Sequence, residues 1–213
     1  RYITNTLTSS RDTKVIINTN GNLIVNSGTI SISLEAAGTA YQNHNAYGIY
    51  MDNNSKSNVT FNGGTLDIDD NMAKGNISAY GIYYGSDATG QVLINNSTID
   101  VYSARDSYDI KTNQNSNINI IINNSNLYSV GAGDNAYGIT SNAGKVEFNS
   151  GHIETTPLKV GVGINAKVIV MNGGEIKLNV CTQNEGLKGK YITVNGGVID
   201  VVSSYNPTAI SPT

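Results

Sequence analysis

Tryptophan is absent, phenylalanine occurs twice, proline three times and cysteine once. The lone Cys181 excludes a disulfide within the chain and any multi-cysteine metal cluster. It suits a reducing compartment, and equally a bacterial exported protein that avoids cysteine. Charge is scarce too. Only 14% of the residues are charged and the net charge is −3, too mild to point to nucleic acid or an anionic membrane surface. No apolar run approaches the roughly 18 residues of a membrane-spanning helix. Arg1 opens the chain without a signal-peptide pattern, as a mature or excised segment would as readily as a cytosolic protein. Alanine, leucine, glutamate, lysine and arginine are all sparse, so amphipathic helices have little to be built from.

What is plentiful is asparagine, glycine, isoleucine, serine and threonine, with 13 tyrosines. Isoleucine, valine, threonine and tyrosine suit pleated, half-buried strands, while asparagine and glycine supply the left-handed backbone of tight turns. One phrase recurs: Asn62-Gly63-Gly64-Thr65-Leu66, Asn172-Gly173-Gly174-Glu175-Ile176 and Asn195-Gly196-Gly197-Val198-Ile199. Alignment on its first residue, with looser copies included, gives the column Asn26, Asn62, Asn95, Asn123, Asn149, Asn172 and Asn195, spaced by 36, 33, 28, 26, 23 and 23 residues. Positions not used in the alignment agree with it. Four residues on stand Ile30, Leu66, Ile99, Leu127, Ile153, Ile176 and Ile199. One and three residues before each asparagine the side chain is apolar in every copy, which is strand alternation.

A further strand precedes each of these. Its signature is Ala46-Tyr47-Gly48-Ile49-Tyr50, Ala79-Tyr80-Gly81-Ile82-Tyr83, Tyr108-Asp109-Ile110 and Ala136-Tyr137-Gly138-Ile139, with degenerate copies at Val162-Gly163-Ile164, Gly186-Leu187 and Ala209-Ile210. Each coil therefore reads first strand, turn, second strand, asparagine corner, third strand, variable loop. The fold expected is all-β: a single right-handed parallel β-helix over residues 1–213, about seven coils of three short strands with an asparagine ladder at one corner. Such a coil cannot bury its apolar face alone, so stability comes from stacking. The chain reads as a fragment of a longer repeat protein whose end coils need a cap or continuing chain. The column asparagines are expected in the left-handed region, with their amides bonding between coils. The glycines of the first strand are expected to face outward by alternation from the isoleucines, marking a bend or a bare surface for a flat ligand.

These Asn-Gly-Gly-x-Ile coils, from about Leu23 to Val201, resemble the β-helical passengers of autotransporter adhesins and related bacterial surface proteins. The resemblance implies an extracellular or cell-surface location and a non-catalytic role as adhesin, glycan-binding module or structural stalk. Its partner would be a polysaccharide, glycan or host surface protein, with no nucleic acid and no membrane insertion in this segment. Right-handed β-helices also include polysaccharide hydrolases and lyases, the alternative reading, although no motif of those enzymes is matched here. Fold alone does not assign function.

Candidate binding residues fall in two groups. On the outer side of the third strand stand Asp67, Asp69, Asp100, Tyr102, Tyr128 and Glu154. Asp67 and Asp100 hold the same station in adjacent coils; stacked like charges are unfavourable unless compensated, for example by Ca²⁺, and tyrosines there can stack on sugars. The same row reads equally as a solvated strand face. The second group is Tyr84, Asp87, Arg105, Asp106 and Asp109 around the third and fourth coils, with the excursions 35–45, 70–78 and 103–106, which read either as binding loops or as covers for the stack. Asp69–Asp70 and Asp67–Asp100 are formal pairs for glycoside hydrolysis. A lyase would want a base beside Ca²⁺, and only Arg1, Arg11, Arg105, Lys74 and Lys111 are at hand. His44 and His152 lie far apart in the repeat and read as surface residues, with no metal-ligand spacing and no nucleophile–base pair.

Overall fold

The computed structural model describes residues 3–6, 12–34, 44–70, 77–179 and 181–213. Among them the regular structure is all strand, and every pairing is parallel. The third strands form one eight-stranded sheet, from Ile3–Thr6 and Thr29–Leu34 through Gly64–Asp70, Ser97–Ser103, Ser125–Gly131, Gly151–Pro157 and Glu175–Leu178 to Val198–Val201. First and second strands share an eleven-stranded sheet, because in Thr13–Val25, His44–Phe61, Asn135–Phe148 and Val160–Met171 the chain passes the bend without leaving strand geometry. His44–Phe61 pairs along its first half with Ile77–Tyr84 and along its second with Thr89–Asn95. Sequentially distant, equivalent strands are thus neighbours, as a solenoid-like β fold requires.

Register follows the aligned columns. Leu66 faces Ile99, then come Leu127, Ile153, Ile176 and Ile199, each opposite the last. Val59, Val92, Ile120 and Val146 form a second such row. These aliphatic side chains, with Phe61, Phe148, Met51 and Met171, fill the space between the sheets and are fully buried, apart from the half-buried Ile199 at the last coil. Each buried Ile, Leu or Phe contributes about 1.5–3 kcal/mol relative to exposure.

The corner differs from the sequence expectation in one respect. The left-handed residue is not the column asparagine. It is the glycine two places on, as at Gly64 (φ 107°) and Gly197 (φ 103°), or the second asparagine in the Asn-Asn-Ser corners, Asn96 (φ 49°) and Asn124 (φ 45°). The column asparagine works through its side chain. Each Nδ2 donates to the Oδ1 of the preceding coil, at 2.9 Å for Asn62 to Asn26, 3.3 Å for Asn95 to Asn62, 2.8 Å for Asn123 to Asn95 and for Asn149 to Asn123, 2.6 Å for Asn172 to Asn149 and 2.7 Å for Asn195 to Asn172. The ladder is unbroken over seven coils.

The first-strand glycines correct a second expectation. Gly48, Gly81, Gly138, Gly163 and Gly186 are buried, not outward. A Cβ on Gly48 would lie 2.8 Å from the Gly81 carbonyl oxygen and 2.8–2.9 Å from the core methyls of Ile68 and Leu66. The strand places glycine and the following isoleucine inward in succession, so alternation slips by one and Tyr47 and Tyr50 both point outward. These glycines let the strand pack against the next coil's backbone and the core, and leave no open backbone for a ligand.

Candidate functional site

Parallel in-register pairing turns the outer side of each sheet into rows of side chains, one per coil. On the third-strand face the central row is Ser31, Asp67, Asp100, Tyr128, Glu154, Lys177 and Asp200. Asp69 and Tyr102 adjoin it on one side, Thr98, Asn126, His152 and Glu175 on the other. The expected stacking of Asp67 on Asp100 is present. Ser31 donates to Asp67 (Oγ to Oδ2, 3.1 Å). Half-burial, joined by the charges of Asp67 and Asp69, holds the Asp100 carboxyl above its ordinary value. Tyr102 and Tyr128 lie partly exposed beside these carboxylates.

Further along the same face the side chains bond to one another. His152 Nε2 lies 3.1 Å from Glu154 Oε2 and its Nδ1 3.0 Å from Glu175 Oε2. Lys177 Nζ is 3.4 Å from Glu154 Oε1. Asn179 Nδ2 donates to Glu154 Oε1 at 2.7 Å and to Thr156 Oγ1 at 2.8 Å. The Tyr128 ring stands 5.8 Å from that of His152. Partial burial raises the Glu154 carboxyl, but the bonds from Asn179, His152 and Lys177 outweigh it and hold it below the ordinary range. His152 lies partly exposed on the outer face, as expected, and there it bridges two coils. His152 and Glu175 both stand three residues after a column asparagine, a signal legible in the alignment.

The second group of sequence candidates does not converge. Tyr84 is fully buried, because alternation from Ile82 turns it inward, and its hydroxyl donates to the Ser57 carbonyl at 3.0 Å. Asp109 is fully buried as well, since it occupies the inward glycine station of the fourth coil. Both are corrected: neither reaches a ligand on the surface. Asp87 is an exposed turn residue with φ 58°. Arg105 Nε binds Asp134 Oδ2 at 2.6 Å, and Lys159 completes that ion cluster from the next coil. Asp106 accepts from the backbone and side-chain amides of Asn135 (3.2 and 2.8 Å). Asp69 and Asp70 lie on opposite sides of their strand, Asp69 exposed and Asp70 buried, so they cannot flank one glycosidic bond. Residues 35–43 and 71–76, with Lys74, and also Arg1 and Arg11, lie outside the described residues, and so does the His44 side chain.

An aromatic feature stands outside the sequence candidates, although its residues belong to the repeat. On the outer side of the first strands Tyr47, Tyr80, Tyr108 and Tyr137 stack at centroid separations of 4.8, 5.1 and 4.5 Å, tilted by only 11°, 14° and 4°. Tyr50 and Tyr83 stack beside them at 5.3 Å. Lys14 sits 3.5 Å over Tyr50 and Lys111 4.0 Å over Tyr108. Burial pushes the phenols of Tyr47, Tyr80, Tyr83, Tyr108 and Tyr137 up and the Lys111 ammonium down. Within the rows neighbouring rings cover each other's faces, and Tyr47 and Tyr80 are themselves buried, so the stack clads the sheet instead of presenting ring faces for a sugar.

Among the described residues no three or more His, Cys, Asp or Glu side chains group so as to hold a metal ion, and no helix is long and apolar enough to cross a membrane. Comparison with protein-family models, curated proteins and solved structures gives no match.

Proposed function

We propose that this chain is a segment of a right-handed parallel β-helix that acts outside the cell as a rigid, non-catalytic stalk, presenting its third-strand face to a glycan, a polysaccharide or a host surface protein. One observation supports the reading above the rest. Asp67, Asp69, Asp100, Tyr102 and Tyr128 occupy adjoining stations of one backbone-fixed face, and Asp100 is half-desolvated beside two like charges. A glycan laid along the axis would meet carboxylates that accept from its hydroxyls and phenol rings that take its apolar faces. The coils hold these groups in place before binding, which lowers the ordering cost of association.

A glycan array scored in parallel with polysaccharide incubation tests this. Binding that weakens at least tenfold in Asp100→Asn and in the Tyr102→Ala/Tyr128→Ala double variant, with unchanged circular dichroism, supports the stalk reading. Binding indifferent to both variants removes the third-strand face from consideration. Release of reducing ends or unsaturated products by the wild type would establish the enzyme instead. A parallel Ca²⁺ titration asks whether an ion bridges Asp67 and Asp100.

A further inference from the structure

Asp109 is the one first-strand residue that replaces the column glycine with a charged side chain. The equivalent Gly81 would place a Cβ 2.9 Å from Ile99 and 3.2 Å from Val101. One coil on, those stations are Leu127 and Ser129, so Asp109 aims at the interior between the sheets. It is fully buried and neither carboxyl oxygen has a hydrogen-bond partner. The hydroxyls nearest in register, Ser129 and Ser107, bond to each other at 2.8 Å. An ionised carboxylate in that position would be uncompensated.

Charged groups on every adjoining strand fail to relieve it. Its own strand carries Asp106, Tyr108 and Lys111 on the outer side. The flanking first strands bring Tyr80, Tyr83 and Tyr137 outward and Tyr84 inward, and the second half of Asn135–Phe148 adds Lys145 and Glu147, which bind each other. Across the interior, Asp100, Tyr102 and Tyr128 face out from their strands. Asp70, in the second coil, is also interior. No lysine, arginine or histidine is among the buried residues described.

We propose that Asp109 is a built-in acid-stabilised latch: neutral, it closes the fourth coil; ionised, it loosens that coil, so the middle of the rod tightens in acid and slackens in alkali. Burial, with repulsion from Asp100, holds its carboxyl well above the ordinary range. The folded state therefore keeps a proton that the unfolded chain gives up. Stability is greatest below the ordinary carboxylate range and falls as pH climbs from there through the raised value.

The test compares the wild type with Asp109→Asn and Asp109→Gly, by thermal unfolding from about pH 4 to 9. Asp109→Asn removes the charge and keeps the shape; Asp109→Gly restores the column. The expected result is a midpoint gain of Asp109→Gly over wild type of roughly 4–10 °C at the alkaline end, shrinking toward acid, with Asp109→Asn following the same trend. Differences between variants cancel the titration of groups that do not interact with Asp109; Asp100, which does, is coupled to it. A wild-type-to-variant difference constant across the range would overturn the latch. Should Asp109→Asn fail to fold, amide exchange on the wild type decides, after correction for intrinsic rates. Protection of Asp106–Thr112 must fall with rising pH relative to Gln183–Gly189, and parallel behaviour of the two strands sinks the idea.

Discussion

The side-chain amide of Asn195 donates to Oδ1 of Asn172 at 2.7 Å, and it does so as the last of six like bonds, each pointing the same way along the rod. An asparagine inside this ladder is donor and acceptor at once; Asn195 spends only its donor on a neighbouring column asparagine.

Position in the ladder should therefore set the cost of losing an amide. Asn123→Ala removes two bonds, from Asn149 and to Asn95, at a half-buried corner. It should destabilise by about 1–3 kcal/mol, against about 0.5–1.5 kcal/mol for Asn195→Ala. Urea unfolding with an unchanged slope is the measurement. Equal costs would mean that the corner is held by its backbone bonds, such as Asn149 N to the Ile122 carbonyl, and not by the ladder.

The inward glycine station makes a second contrast. A Cβ on Gly163 would meet the Gly186 carbonyl oxygen and Ile176 Cγ2, both at 2.6 Å. Backbone of the next coil cannot yield without shifting the whole stack. Gly163→Ala is expected to cost about 1–3 kcal/mol. At Gly196, also in the repeat, the nearest atom is the Asn172 carbonyl oxygen at 3.1 Å, so Gly196→Ala should cost less. The reverse order in a denaturant titration would count against the inward packing assigned to the first-strand column.

Much of this was readable before the fold was known. Alternation on either side of the asparagine column placed Leu66, Ile99 and Ile153 in the core, and coil spacing placed Asp67 on Asp100. Two kinds of fact were out of reach. The slip that turns Gly48 and Ile49 inward together is a backbone irregularity; strict period-two counting put Gly48 and Asp109 on the wrong side. The partner of an outer side chain depends on rotamers, so the sequence marks Tyr47 and Tyr80 as repeat residues but does not show that they stack. Tyr84 is different: alternation from Ile82 already pointed it inward.

The tyrosine rows should govern behaviour in alkali. Burial raises the Tyr108 phenol, so the folded state holds a proton that the unfolded chain loses near pH ~10. Stability is then intact below that value and declines as pH rises beyond it. Tyr108→Phe should unfold less readily in alkali than wild type and lie within about 0.5 kcal/mol of it at neutral pH, since the stack survives. Tyr108→Ala removes a ring stacked on both Tyr80 and Tyr137 and should cost about 1–3 kcal/mol at any pH. Ultraviolet titration of phenolate, read alongside circular dichroism, checks this. Full ionisation of the rows without loss of ellipticity would contradict it.

Acid probes the opposite sign at Asp134. The hydrogen bond from Lys159 is the largest influence on its carboxyl, ahead of an opposing desolvation, and with Arg105 it holds the group below the ordinary range. Here the folded state is the poorer proton binder. The contribution is present above the ordinary carboxylate value of about 3.9 and disappears as pH falls through the depressed one. Because Arg105 and Lys159 are 40% and 62% exposed, the contribution should stay below about 1 kcal/mol and shrink further in about 1 M salt. Asp134→Asn should thus lose ground to wild type at neutral pH and regain it in acid, whereas the advantage of Asp109→Asn over wild type is greatest in alkali and fades toward acid. One carboxylate binds outer corners of successive coils through cations; the other lies inside without one. Unfolding curves of the two single variants across the same pH series separate these environments, and parallel pH dependence in the two would refute the assignment of at least one of them.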